Sequence, residues 1–206
     1  MMATDHLNRI FIIDDDASVR RSLTLLLTSY GYDVESFQNA EEFVGVHDYT
    51  GAGCIILDIY MEGRTGLELQ EEIGLKYKTL LVIYLTGQGS IPMSVQAMKK
   101  GAFNFLQKPV DDQVLLGSVN DALKQSHDMI KINQEISRLK SLIDELTPRE
   151  FKVFEMVIKG MLNKQIAGNL NIAEHTVKLH RGKITEKLGV KSTAELVRLA
   201  HMLGLI

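Results

Sequence analysis

The chain has 206 residues, 45% of them apolar, one cysteine and a formal net charge of −3. Such a length holds one large domain or two small ones. No apolar run nears the roughly 20 residues that span a bilayer. The opening MMATDHLNRI carries no apolar signal-peptide core, and a single thiol makes no internal disulfide, so a cytoplasmic protein without a membrane partner is expected. The charge is uneven: residues 1–123 hold 9 Lys and Arg against 17 Asp and Glu, residues 124–146 hold 4 of each, and residues 147–206 hold 10 against 5. An acidic front and a basic end point to two domains with different partners, the second facing an anion.

Along the first 120 residues, short apolar runs alternate with helical patterns. The runs at 8–13, 33–37, 54–59, 80–85 and 103–106 predict strands, and 17–29, 40–47, 66–75, 91–100 and 111 onward predict helices. Continuous apolar runs suit strands covered on both faces, and strand–helix alternation suits right-handed parallel crossovers. Cys54 falls inside such a run and reads as a small buried hydrophobe. Ser90 with Pro92 opens one helix and Gly101 closes it. From Leu115 the pattern becomes one long helix, through Val119, Ala122, Met129, Ile132, Ile136, Leu139, Ile143 and Leu146, with a gap at Gln125. Thr147, Pro148 and Glu150 start a new helix, which Gly160 ends, and three more short helices follow. The expected class is α/β: a doubly wound, five-stranded parallel sheet joined by a long helix to a small all-α helix-turn-helix domain.

In RIFIIDDDASVRRSL, Asp14, Asp15 and Asp16 stand together at a strand tip, where like charges repel. Ligands of open parallel sheets bind beyond the carboxyl ends of strands. Asp58, Thr86 and Lys108 also fall at such ends. Adjacent strands would bring three carboxylates, a hydroxyl and an ammonium together, with Asp16 capping the next helix. A hard divalent cation makes such a cluster reasonable, because Mg²⁺ takes carboxylate, water and phosphate oxygens. A carboxylate beside Mg²⁺ (or Mn²⁺) and a lysine is equipped to attack phosphorus and form an aspartyl phosphate. Taken singly, each residue has an ordinary reading: a cap, a strand-end hydroxyl, a solvated lysine.

FIIDDDASVR, ILDIYMEGRTGLEL and LTGQGSIPMSVQAMKKGAFNFLQKPV together resemble the receiver domain of two-component response regulators, over about residues 7–123. The branch they resemble most is the FixJ-like one. The resemblance implies a flavodoxin-like receiver in which Asp58 accepts a phosphoryl group from a sensor histidine kinase. It implies a metal site of Asp14, Asp15, Asp58 and the Tyr60 carbonyl, a phosphoryl-binding Thr86, a pairing Lys108, a switch aromatic at Phe105, and a cis peptide before Pro109. Glu62 stands where the family usually has proline, and Asn104 replaces a common acidic residue.

In the basic end, Ile166, Ala167 and Leu170 mark one helix. The next has Val177, Ile184 and Leu188 for a core and Lys178, His180, Arg181, Lys183 and Lys187 on its other faces. Two helices across a tight turn, the second basic, suit a helix-turn-helix in a major groove. LTPRE, NKQIA, TVKLH and KLGVKSTAEL make residues 144–206 similar to the LuxR-type helix-turn-helix. The resemblance implies a recognition helix from about 174 to 188, with Lys178, Leu179 and Gly182 near base edges and Lys164, Thr176, His180 and Arg181 at the backbone. The domains expected are a receiver over 1–123, a linker helix over 124–143 and a DNA-binding domain over 144–206. The implied function is a regulator, not an enzyme: it binds promoter DNA, acts with RNA polymerase and forms a homodimer when phosphorylated. Two other classes compete with this one. A phosphohydrolase needs an Asp two residues after its nucleophile, and Tyr60 holds that place after Asp58, although Asp16 holds it after Asp14. A phosphate-independent binder with a vestigial receiver conflicts with the intact set of five pocket residues.

Overall fold

The computed structural model describes residues 8–46, 49–61, 65–87 and 90–206, and the chain divides into two units, 1–131 and 132–206. Glu62 lies outside the described residues.

The first unit alternates β1 (Arg9–Ile13), α1 (Ala17–Ser29), β2 (Asp33–Phe37), α2 (Ala40–Val46), β3 (Gly53–Leu57), α3 (Gly66–Lys76), β4 (Leu80–Thr86), α4 (Ile91–Lys99) and β5 (Asn104–Gln107), and then enters α5 (Asp112–Asp144). All strand pairs are parallel, in the order β2-β1-β3-β4-β5. Strand side chains alternate between faces, so each strand feeds two cores. Phe11, Ile13, Ile55, Leu57, Val82 and Tyr84 meet α2, α3 and α4 on one face. Ile10, Ile12, Cys54, Ile56 and Ile83 meet α1 and α5 on the other. Burial of this kind on both faces explains the continuous apolar runs. It also pushes the Cys54 thiol up to about 12, which leaves it inert packing.

The long helix corrects one detail of the periodic pattern. Ser126, not Met129, carries the buried seam past Gln125, and Ile130 follows it at 8% exposure. The Ser126 hydroxyl accepts the Gly53 N–H and donates to the Thr79 carbonyl, tying the helix to the lower edge of the sheet. A polar residue fills the gap in the apolar count because two backbone groups there need partners.

The second unit takes the end of α5, then α6 (Pro148–Ile158), α7 (Asn163–Leu170), α8 (Glu174–Leu188) and α9 (Thr193–Met202). Leu139, Ile143 and Leu146 join Val153, Phe154, Val157, Ile166, Val177, Ile184, Leu188, Leu196 and Leu199 in one core. The Thr147 hydroxyl accepts the Glu150 N–H while the Glu150 carboxylate accepts the Thr147 N–H, the reciprocal cap that the sequence pattern predicts. Among the described residues no helix is long and apolar enough to cross a membrane.

Candidate functional site

At the carboxyl edge of the sheet, hydrogen bonds continue beyond the strands and aim the next residues. The Asp14 amide donates to the Phe37 carbonyl at 3.3 Å, the Asp58 amide to Ile13 at 2.9 Å and the Lys108 amide to Thr86 at 2.8 Å. Asp14, Asp58 and Thr86 are buried, and Asp15 is exposed. The carboxylates of Asp14, Asp15 and Asp58 offer oxygens that all lie within 4.8 Å of one another. The Lys108 ammonium bridges two of them, 2.6 Å from Asp14 Oδ2 and 2.8 Å from Asp58 Oδ2. Asp15, Asp58 and Lys108 line a cleft of about 290 Å³ with Asp16, Val19, Tyr60, Thr86 and Gly87, and the buried Asp14 adjoins it through Lys108. Asp16 caps α1, accepting from Ser18 and Val19, while its own amide donates to Asp14 Oδ1.

Burial raises the Asp14 carboxyl above its ordinary range, against the hydrogen bonds from Lys108 and the Asp16 amide. Burial also pulls the Lys108 ammonium down, but its two carboxylate partners outweigh this and hold it above its usual value. One ammonium thus faces a cluster of three carboxylates. Such a cluster has the hard oxygen donors that Mg²⁺ or Mn²⁺ takes, at a spacing one cation spans, so the residues fit a metal. Phe105 on β5 is half-buried, its ring 6.2 Å from that of Tyr84.

In the second unit, three buried apolar residues, Val177, Ile184 and Leu188, seat α8. Lys178, Leu179, Gly182 and Lys183 are exposed, Leu179 at 62%. Lys164 is exposed as well, and Thr176 is half-buried. His180 is half-buried, and its Nδ1 has no hydrogen-bond partner among the described residues. Arg181 is engaged inside the unit, donating to Asn163 Oδ1 at 2.8 Å and Thr193 Oγ1 at 2.6 Å. Lys187 is engaged too, 2.7 Å from the Glu150 carboxylate and 3.1 Å from the Glu145 carbonyl.

The model of the response regulator receiver domain matches residues 10–120, and that of the bacterial regulatory proteins of the luxR family matches residues 144–200. The chain is a FixJ-like response regulator. It is 39% identical to nodulation protein W of Bradyrhizobium diazoefficiens, over 95% of this chain and 86% of that one. It is 40% identical to transcriptional regulatory protein TdiR of Thauera aromatica, over 94% and 86%. Among solved structures, response regulator StyR superposes with a TM-score of 0.79 at 41% identity, covering 95% of this chain and 98% of that one. Full-length FixJ from B. japonicum gives 0.58 at 34%, covering 97% and 98%.

In this response regulator the cleft gathers Asp14, Asp15, Asp58, Tyr60, Thr86 and Lys108, while Phe105 stands apart from the lining. Sequence reasoning missed the polar groups that hold the receiver cleft from behind. The Arg20 guanidinium donates to the Asp14 carbonyl at 2.6 Å. The buried Tyr84 hydroxyl reaches the Gly66 carbonyl at 3.0 Å and Gln70 Oε1 at 2.8 Å, and Gln70 Nε2 in turn donates to the Lys100 carbonyl at 3.1 Å. One signal was available: a tyrosine two residues before Thr86, inside a buried strand, needs a partner for its hydroxyl.

Proposed function

We propose that this regulator receives a phosphoryl group on Asp58 from a sensor histidine kinase and, so modified, binds promoter DNA as a dimer to control transcription by RNA polymerase. The observation that carries the reading is Lys108 bridging Asp14 and Asp58 in one cleft at the sheet edge. Asp58 is the nucleophile: its carboxylate oxygen forms the new bond to phosphorus as the bond to the donor breaks. Lys108 keeps its ammonium against the oxygens that gain charge. Thr86 offers a hydroxyl from the end of β4. Asp14, Asp15, Asp58 and the Tyr60 carbonyl would hold Mg²⁺ or Mn²⁺, which when bound neutralises charge on the phosphoryl oxygens.

Dimerisation is supported by apolar exposure. Ile91, Val95 and Met98 recur at steps of four and three on α4 and are 82%, 47% and 47% exposed. Such a stripe beside β5 is suited to a second copy. Phe105 turning inward on phosphorylation would reshape this face. In the DNA-binding part, residues 144–206, Lys178, Leu179 and Gly182 would approach base edges. Lys164, Thr176 and His180 would meet phosphates. Gly182 offers no side chain, so DNA shape carries part of the specificity. Residues 124–143 serve as the linker helix behind the receiver, 1–123.

Intact mass after incubation with Mg²⁺ and acetyl phosphate tests the chemistry: one phosphoryl group is expected, and none on Asp58→Asn. Equal labelling of that variant refutes the assignment, and multiple turnover of a phosphate monoester would favour a phosphohydrolase. Sedimentation velocity with and without the donor tests the dimer, which is expected only with it. A monomer in both, with and without DNA, removes that part of the reading.

A further inference from the structure

The basic residues of α8 do not all face the same way. Val177, Ile184 and Leu188 form its buried stripe, spaced by seven and four. Arg181 sits four residues after Val177 and three before Ile184, which places it on the same inward stripe, between the two apolar anchors. Lys178, Leu179 and Gly182 lie toward the other side, and all three are exposed. The Arg181 fork uses two of its nitrogens on two different helices: Nη1 donates to Asn163, the first residue of α7, and Nη2 to Thr193, the first residue of α9. Both acceptors are neutral side chains. The guanidinium thus ties α8 to the first residues of both α7 and α9.

Between Val177 and Ile184 the helix makes nearly two turns without a buried apolar side chain. Over that interval His180 is half-buried without a hydrogen bond at its Nδ1, the guanidinium is the group hydrogen-bonded to other helices, and the interval holds the residues read as base contacts. We infer that Arg181 is a positioning residue for DNA recognition: it fixes how α8 lies against the starts of α7 and α9, so that Lys178 and Leu179 meet the base edges in register. It is therefore not one of the phosphate contacts. The inference rests on reading α8 as the DNA-contacting helix.

Arginine and lysine separate the two roles. A phosphate accepts either as a cation, whereas a lysine has no planar fork and reaches one of the two acceptors. The test titrates the full chain against a duplex selected by the wild type from a random pool, and against its scrambled counterpart, at several salt concentrations. Arg181→Lys is expected to lose about tenfold on the selected duplex, the loss of about one hydrogen bond's worth of alignment. It should keep wild-type affinity for the scrambled duplex and an unchanged salt slope. Lys164→Ala, a phosphate contact in the same reading, should weaken both duplexes and lower the salt slope by about 1. The double variant Asn163→Ala/Thr193→Ala, which leaves Arg181 in place, should lose at least tenfold, and adding Arg181→Lys to it should cost nothing more. Thermal melting of each variant identifies general destabilisation, which would weaken both duplexes alike and overturn the inference. Wild-type binding by Arg181→Lys, or a salt slope lowered in Arg181→Ala as in Lys164→Ala, overturns it too. A wild-type chain that discriminates no duplex overturns the DNA-binding reading, and the positioning role with it.

Discussion

Two regions of this molecule bury charge, and they do it in opposite ways. In the receiver cleft, three carboxylates lie within 4.8 Å of one another, and one ammonium bridges two of them. In the DNA-binding part, one carboxylate, Glu150, is 4% exposed and is matched one to one by Lys187 at 2.7 Å, with the Thr147 amide as a second donor. The first arrangement keeps repulsion that no fold requires, and a cation or a phosphoryl group changes its balance. The second leaves nothing for a ligand to complete, and it joins the start of α6 to the end of α8. Uneven charge marks chemistry here, and even pairing marks architecture.

The comparison is sharpest at its two lysines. Lys108→Ala should slow phosphoryl transfer from acetyl phosphate by about 10²–10³-fold, the usual cost of deleting one charge-stabilising group. DNA binding by the unmodified protein should not change. Labelling rates by intact mass check the first, and duplex titration checks the second. A slowing below tenfold would make Lys108 a mere counter-ion.

Lys178→Ala should weaken the selected duplex by about 1–3 kcal/mol and leave scrambled DNA nearly untouched, as expected of a base reader. Equal losses on both duplexes would move Lys178 to the phosphate class and leave the outward face of α8 with no charged reader.

On the architectural side, the Lys187 ammonium and the Thr147 amide lower the Glu150 carboxyl to about 2. A depressed acid contributes stability above its unfolded value, near 4.5, and loses it as the pH falls toward 2. The melting temperature of Glu150→Gln should therefore lie below that of wild type at pH 6, and the gap should narrow between pH 4.5 and 2. A constant gap would mean that Glu150 acts through shape alone. The smallest effect belongs to Arg138→Ala. Its pairing with Glu135 is one helical turn long and solvent-exposed, so melting should stay within error of wild type.

Much of this was legible in the sequence. The chemistry of the receiver cleft was, because Asp14, Asp15, Asp58, Thr86 and Lys108 lie at or just past strand ends, and parallel strands bring their ends together whatever lies between. The start of α6 was too, because Thr147 and Glu150 bond to each other within four residues. What stayed hidden are partners far apart in the chain. Ser126 meets Gly53 across 73 positions, Lys187 meets Glu150 across 37, and Arg181 meets Asn163 across 18. Hydrophobic period tells which face of a helix turns inward but not which polar group waits there. The sequence therefore places Arg181 at the DNA backbone and Lys187 on a basic face, and identifies neither of their acceptors.

Gly66 opens α3 with its amide on the Ile59 carbonyl, and a Cβ there would run into the Asp58 carbonyl oxygen and crowd the Ile59 backbone. Neither obstacle is a side chain able to swing aside. To a geneticist screening for strains deaf to their stimulus, this is a place where one methyl group silences the relay. An alanine allele would leave every charged residue of the cleft in the gene and still displace the peptide that carries Asp58. Such an allele would leave DNA binding at its unphosphorylated level whatever the donor, and would resist suppression by extra kinase. Relief would come from second-site changes that free the Asp58–Ile59 backbone.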